Sequence, residues 1–380
     1  MEYVKLGDIC TKVCSGGTPT SSNPAYYDGN IPWLNTNEVN FCNIYSTNKT
    51  ISEEGLKKSA AKYVPENTVI VAMYGVTAGK CAIAKIPLTT NQACCNLIID
   101  KEKADYCYVY YYLRQQSDSL NKLAIGGAQQ NLNALTIKKF KIALPTLPTQ
   151  KKIASILSAY DRLIENNTRR IRLLEQMAEN LYKEWFVRFR FPEHEKVEMV
   201  NGLPKGWKIN SLKEICEFKR GRNITSAEMC DGIIQVISAG VAPSGYHNKA
   251  NVHGVSVTMS SSGANAGYIS IHYDDIWAAD CSYISEKETE DIYYVYELLN
   301  NIRQVINNFQ IGAAQPHVYP KDINRIKTCV PPKELRIKAN TNLSKIHKEI
   351  HKLYKQNQLL THQRDLLLPR LMSGKLEVKS

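Results

Sequence analysis

The chain has 380 residues, 43% of them hydrophobic, and a net charge of +12. That length suits two domains with a core each, and the hydrophobic fraction is ordinary for a soluble globular protein. No stretch approaches the roughly eighteen apolar residues of a membrane span, Met1-Glu2-Tyr3-Val4-Lys5 has no apolar signal region, and eleven scattered cysteines suit reduced thiols in a cytoplasmic setting.

Residues 1–150 read as an α+β domain, with strands at 69–73 and 81–86 and one helix over 106–123. Segment 151–190 is the clearest periodic element. Ile153, Leu157, Tyr160, Ile164, Asn167, Ile171, Leu174, Ala178, Leu181 and Trp185 step by four and three, as a coiled-coil seam does. Val187, Phe189 and Phe191 then alternate with Arg188 and Arg190, which predicts an extended exit ending at Pro192. Residues 191–207 are charged and hold Gly202 and Pro204, so they read as a linker.

A second α+β domain is expected over 208–332, with strands at 255–259 and 268–272 and a helix over 292–309. Residues 333–380 form a second long helix, stepping through Leu343, Ile346, Ile350, Leu353, Asn357, Leu360, Arg364, Leu367 and Leu371 to stop signals at Pro369 and Gly374. Each seam holds one asparagine, Asn167 or Asn357, a residue that fixes register at a cost in stability. Neither seam suffices alone, so the two are expected to pack on each other; the periodicity leaves their direction open. Residues 151–190 and 333–380 carry +4 and +7 of the net charge. Such a balance favours a polyanionic partner, although a long solvated helix also gathers lysines.

The two halves repeat after 186 positions. Ile125-Gly126-Gly127-Ala128-Gln129 returns as Ile311-Gly312-Ala313-Ala314-Gln315. The same offset pairs Val69 with Val255, Met73 with Met259, Cys95 with Cys281 and Tyr110 with Tyr296, and continues into the helices as Leu157 with Leu343 and Ile164 with Ile350. A two-fold object built from one chain suits the reading of duplex DNA at two half-sites.

Several strings resemble one family. They are Ser15-Gly16-Gly17-Thr18-Pro19 with Ile31-Pro32-Trp33, the Gly126–Gln129 element, Gln150-Lys151-Lys152-Ile153, Leu181-Tyr182-Lys183-Glu184-Trp185-Phe186, and Leu367-Leu368-Pro369-Arg370-Leu371-Met372-Ser373-Gly374. Together they are similar to the DNA-specificity subunits of type I restriction–modification systems, a host-defence machinery. The second half departs from the pattern, with Lys219-Arg220-Gly221-Arg222 in place of the Gly-Thr-Pro string. The resemblance implies two target-recognition domains on a split DNA site and two helices paired as an antiparallel coiled coil. It also implies two adenine methyltransferase subunits carrying S-adenosylmethionine, and a restriction subunit using ATP and magnesium. The chain itself would hold no cofactor and catalyse nothing, and its partner would flip one adenine per half-site for N6-methylation. A specificity subunit of a methylation-only or type II-like complex is the nearest alternative; a self-contained methyltransferase and a coiled-coil adaptor are more distant ones. A helix of about 33 residues spans roughly 50 Å, against about 34 Å for one turn of DNA, so the helices would act as a ruler between half-sites.

Candidate DNA contacts are short polar groups beside lysine or arginine on loops. In the first copy they are Thr18, Thr20, Ser21, Asn35, Thr36, Asn37, Tyr74, Lys80, Gln129, Gln130 and Asn131; in the second, Lys219, Arg220, Arg222, Ser261, Asn265, Gln315 and His317. Arg220 and Arg222 stand out because two arginines beside a loop glycine have little packing reason to be there. Bland roles compete: Gly126–Gln129 can cap a helix and Asn35–Asn37 can form a turn. Gly75-Val76-Thr77-Ala78-Gly79-Lys80 resembles a phosphate loop but is one residue short between the glycines and has Cys81 for Ser/Thr, so it reads as a strand-connecting turn. Asn23-Pro24-Ala25-Tyr26 lacks the second proline of the amino-methyltransferase motif and reads as a loop. Cys10 with Cys14 and Cys94 with Cys95 lack zinc spacing, no histidine cluster has metal spacing, and His347 and His351 fall on a lysine-rich helix face.

Overall fold

The computed structural model describes residues 2–123, 131–308 and 317–378. The chain falls into two units, 1–165 with 357–380 and 166–356. The division cuts both long helices, Leu147–Tyr182 and Lys333–Met372, so each unit combines a globular α+β part with a stretch of each helix.

In the first unit a five-stranded sheet runs in the order Cys10–Ser15, Cys94–Ile99, Val69–Ala72, Cys81–Ala84, Cys42–Ile44. A three-stranded sheet, Lys49–Ile51, Tyr27–Leu34, Thr89–Thr90, faces it. Strand Val69–Ala72 is apolar throughout and buried on both faces. One face packs Val69 and Val71 against helix Tyr106–Gln115. The other packs Ile70, Ala72, Ala82 and Ala84 against Leu34, Val39 and Leu88. The predicted helix 106–123 is two helices, Tyr106–Gln115 and Ser117–Lys122, broken at Gln116, whose ψ of 11° leaves the helical basin.

The second unit repeats this plan with a four-stranded sheet, Lys219–Arg220, Cys281–Ser285, Ser256–Ser260, Ile269–His272, and a three-stranded one, Gly245–His247, Ile234–Ile237, Ile276–Ala278. Its helical segment also breaks, at Ile302, into Ile292–Asn301 and Arg303–Asn307. The repeat offset is 186 in helices Tyr106–Gln115 and Ile292–Asn301 but 188 in the central strands. Ala72 donates to Lys80 as Ser260 does to Tyr268, and Gly79 donates to Ala72 as Gly267 does to Ser260. Val71 therefore matches Met259, and Cys94 rather than Cys95 occupies the place of Cys281.

The two long helices run antiparallel in each unit. In the first, Ile153, Ala154 and Leu157 share a core with Leu368, Leu371 and Met372, and Asp161 meets Arg364. In the second, Ile171 clusters with Ile350 and Leu353, Asn167 Nδ2 donates to Gln356 Oε1 (3.1 Å), and Arg170 pairs with Glu349 (3.0 Å). Asn167 is buried as a register-fixing seam residue should be. The second helix does not stop at Pro369. It runs on to Met372, and the chain then turns at Gly374 (φ +72°), with Gly374 N donating to Leu371 O. The expected extended exit after the first helix is instead a π-helical turn, Lys183–Val187, followed by Phe189 at φ +58°. The reason is aromatic packing: Phe186, Phe189 and Phe191 all gather on Trp207, with centroids 5.2–5.9 Å apart.

Polar groups are built into the seams. Arg364 is 6% exposed and donates to Asp161 Oδ1 (2.5 Å) and Asp365 Oδ1 (2.8 Å). Tyr111 Oη donates to Asp161 Oδ2 (2.5 Å), which ties the first globular part to both helices. His347 lies 186 positions after Asp161. It is not on a lysine-rich surface but 2% exposed, with Nδ1 2.9 Å from Tyr273 Oη and Nε2 3.3 Å from Glu297 Oε1. Replacing Arg364 by alanine leaves Asp161 half-satisfied under cover, and chemical denaturation should show a loss of about 3 kcal/mol. Removing the half-exposed Arg170 should cost no more than about 0.5 kcal/mol.

One sheet face differs in chemistry between the copies. Where the first unit has Ile70, Ala72, Ala82 and Ala84, the second has Thr258, Ser260, Ser270 and His272, lining a cleft with Gln235 and Ser238. His272 Nε2 lies 2.8 Å from Thr258 Oγ1, and burial pushes its pKa down from 6.5 to about 4. The folded chain therefore keeps His272 neutral while the unfolded chain protonates it below pH 6.5. Its contribution to stability is intact above pH 6.5 and falls away towards pH 4, by about 3 kcal/mol over that window. Melting temperatures of the wild type and His272→Gln, measured from pH 7.5 to 4.5, should show the smaller acid loss in the variant.

Candidate nucleic-acid interface

The glycines of the first-copy motif are there for close approach. A Cβ on Gly16 would strike Thr90 O, and one on Gly17 would strike Ala61 N. Gly16 N donates to Cys94 O (3.3 Å) and Gly17 N to Thr90 O (2.9 Å). Trp33 Nε1 donates to Gly17 O (2.9 Å) and Tyr27 Oη to Pro19 O (2.7 Å), so the aromatics of the neighbouring sheet hold the loop that carries Thr18, Thr20 and Ser21 outwards.

The second copy builds the same corner from other residues. Gly221 N donates to Cys281 O (2.8 Å), Arg222 N to Ala278 O (2.9 Å), and Trp277 Nε1 to Arg222 O (2.9 Å). Gly221 thus stands for Gly16 and Arg222 for Gly17. The absent Gly-Thr-Pro string is a change of side chains on a retained backbone corner.

A second shared piece is the five-residue turn. Gly75 and Gly79 have φ of +75° and +81°, and Gly263 and Gly267 have the same two values. This is the predicted strand-connecting turn, joining Val69–Ala72 to Cys81–Ala84. It leaves Tyr74 exposed at its entry and holds Lys80 at its exit, with Nζ donating to Asn40 Oδ1 (2.9 Å) above the Phe41 ring. In the second copy Asn265 is exposed in the turn. The third piece follows the helical segment: Leu132 N donates to Met73 O (2.9 Å), and Val318 N to Ser261 O (3.0 Å). These bonds set Asn131 and His317 beside their turns; His317 also bridges Ser262 and stacks on Tyr319.

Segment 90–94 ties the corner and the entry of the turn to the Asn35–Thr36 loop in the first unit. Thr18 Oγ1 donates to Gln92 Oε1, Asn91 Nδ2 reaches Asn35 Oδ1 (3.4 Å) and Thr36 Oγ1 (3.5 Å), and Met73 N donates to Ala93 O (2.8 Å). Asn35 also caps the turn Thr36–Glu38 with Glu38 in a capping box, so its side chain has a structural task, while Asn37 is exposed. In the second unit Asp280 has the gathering role: Oδ1 accepts from Arg220 (2.7 Å) and Oδ2 from Ser262 (2.7 Å).

The arginines therefore have packing reasons after all. Arg220 is paired with Asp280, and the Arg222 guanidinium lies 6.0 Å from the Trp277 ring centroid. Both remain exposed at their tips, held rather than floppy. Lys219 pairs with Glu288 (2.9 Å), whose hydrogen bond and charge raise its pKa. Ser261 departs from expectation. It is fully buried under the turn, and its backbone, not its hydroxyl, makes the contact with Val318. Gln129, Gln130 and Gln315 lie outside the described residues. Asn40, Gln92, Ser262, Asp280, Trp277 and Tyr319 escaped sequence reading, since each gains its place only through a partner distant in the chain. The Gly-x-x-x-Gly spacing shared by residues 75–79 and 263–267 was the available signal for the turn.

Among the described residues no cluster of three or more metal-type side chains forms, and no helix is long and apolar enough to cross a membrane. The eleven cysteines are free; burial raises the pKa of Cys81 and Cys94, and that of Cys95 to about 12.

Two copies of one backbone framework, bearing different polar side chains, define a class of recognition protein rather than a catalyst. The type I restriction modification DNA specificity domain matches residues 1–176 and again 204–365. The chain belongs to that family. It is 28% identical to the MjaIX type I restriction enzyme specificity subunit of Methanocaldococcus jannaschii, over 99% of this chain and 93% of the relative. The EcoR124I/EcoR124II specificity subunit of Escherichia coli is 27% identical over 52% of this chain and 50% of its own. The crystal structure of a type I restriction–modification S subunit from M. genitalium shares the fold, with a TM-score of 0.65 at 20% identity, covering 100% of this chain and 96% of that one.

Proposed function

We propose that this chain reads a bipartite site in double-stranded DNA, one half-site per recognition surface, and that it scaffolds two adenine methyltransferase subunits and a restriction subunit. S-adenosylmethionine, ATP and magnesium then belong to those partners. The setting is the cytoplasm, which suits eleven free thiols.

One observation carries the reading. The corner at Gly16 or Gly221, the Gly-x-x-x-Gly turn, and the strand-like segment at 131 or 317 recur in both units, while the side chains they present differ. A retained frame with exchanged polar tips is what reading two different sequences requires, because base edges are distinguished by donor and acceptor pattern. In the first surface Thr18, Thr20, Ser21, Asn37, Tyr74, Lys80 and Asn131 address the DNA, with Asn35 and Thr36 supporting them. In the second, Lys219, Arg220, Arg222, Asn265 and His317 do so. Arg220 and Arg222 are the direct readers, since arginine pairs with guanine and each is already oriented, by Asp280 or Trp277. Helix lengths of 36 and 40 residues, about 54 and 60 Å, set the spacer between half-sites.

Sequencing of modified adenines in cells carrying Arg220→Ala with Arg222→Ala should show one half-site relaxed or lost and the other unchanged. An unchanged motif at every genomic site would remove these two residues from the readout. Inserting one helical turn into 153–185, matched in the second long helix, should lengthen the spacer and leave both half-site sequences intact. Altered half-sites with the old spacer would end the ruler proposal.

A further inference from the structure

Val76 is 98% exposed, more than any other large apolar side chain among the described residues. It sits at the tip of the Gly75–Gly79 turn, and that turn is rigidly built. Ala78 N donates to Gly75 O (3.0 Å), Lys80 N to Thr77 O (2.9 Å), and Gly79 N to Ala72 O (2.9 Å). Thr77 Oγ1 donates to Thr36 O (2.9 Å), clamping the turn to the neighbouring loop. A Cβ on Gly79 would come within 2.9 Å of Ser117 O, so the turn lies tightly on the helix behind it. The fold thus holds an isopropyl group in solvent on an ordered platform, where burial cannot repay it.

The second unit repeats the device. Ala266 N donates to Gly263 O, Tyr268 N to Asn265 O, and Gly267 N to Ser260 O, all at 2.9 Å. Its exposed tip residue is Ala264, again apolar. Tyr74 and Asn265 are exposed in the same turns, and the bonds from Leu132 N to Met73 O and from Val318 N to Ser261 O bring Asn131 and His317 beside them.

We infer that Val76 reads the C5-methyl group of a thymine in the major groove, and that Ala264 is the shorter reader at the matching place. The inference rests on the DNA-reading proposal above and adds a base to it. Thymine is the one base that offers an apolar group in the major groove, and small aliphatic side chains are its complement. The polar neighbours then supply orientation: Lys80 towards phosphate, Tyr74 and Asn131 towards adjacent edges.

The test uses the full-length chain with its co-expressed methyltransferase and duplexes bearing the motif found by modified-base sequencing. The half-site left unchanged by the Arg220/Arg222 variant belongs to the first unit. Each thymine in it is replaced in turn by deoxyuridine, which removes only the methyl group. One replacement should weaken wild-type binding about fourfold, the value of one buried methyl. Val76→Ser, which offers no methyl group, should lose a similar factor on the thymine duplex and show no further loss on the deoxyuridine one. Val76→Thr, which keeps one of the two methyls, should retain part of the methyl preference. No sensitive position in the wild type, or an equal deoxyuridine loss in Val76→Ser, overturns the assignment. If the wild type fails to prefer the motif over a scrambled duplex, the DNA-reading proposal itself has failed, a separate outcome visible before any variant is made.

Discussion

The carboxylate of Asp161 is the constraint on which the first unit turns. It lies between its own helix, helix Tyr106–Gln115 and the second long helix, 17% exposed, and accepts from Tyr111 and Arg364, with Arg114 3.8 Å away. A largely buried charge is costly without partners, so these side chains favour the register that brings them together. That makes the seam selective about register in a way that Leu and Ile alone are not. The globular helix Tyr106–Gln115 thereby becomes part of the long-helix pair instead of a neighbour to it.

The second unit solves the same problem with other polar residues. Tyr111 is matched by Glu297 and Asp161 by His347, each 186 positions on. His347 meets Glu297 at 3.3 Å and is also held by Tyr273. The position keeps its task, a polar pin between domain and stalk, while both residues change. The matching positions thus share a place in the contact pattern without sharing residue identity.

The same logic governs the proposed recognition surfaces. Their frames depend on groups that tolerate little substitution: Gly16, Gly17 and Gly221 where backbone passes backbone, and Gly75, Gly79, Gly263 and Gly267 where φ is positive. A tryptophan indole holds the corner in each unit, Trp33 from one strand and Trp277 from another. Around that frame the tips are free to vary, and they do: Lys80 on Asn40 in one unit, Arg220 on Asp280 in the other. Recognition chemistry can thus diverge without unsettling the core.

Much of this was written in the linear order of residues. Step patterns of three and four announced both long helices, the repeat announced two units, and glycine spacing announced the turn, because helix period, burial and φ > 0 are local demands that local residue types answer. Other features were decided only in three dimensions. The antiparallel direction of the helix pair, the two-residue slip of the repeat in the sheet, the π turn at Lys183–Val187, the burial of Ser261 and His347, and the pairing of Arg220 with Asp280 all depend on partners tens to hundreds of positions away. A side chain's sequence neighbours say whether it suits a helix or a loop. Whether it faces water, a carboxylate or an aromatic ring is settled by which distant segment the closed core brings against it.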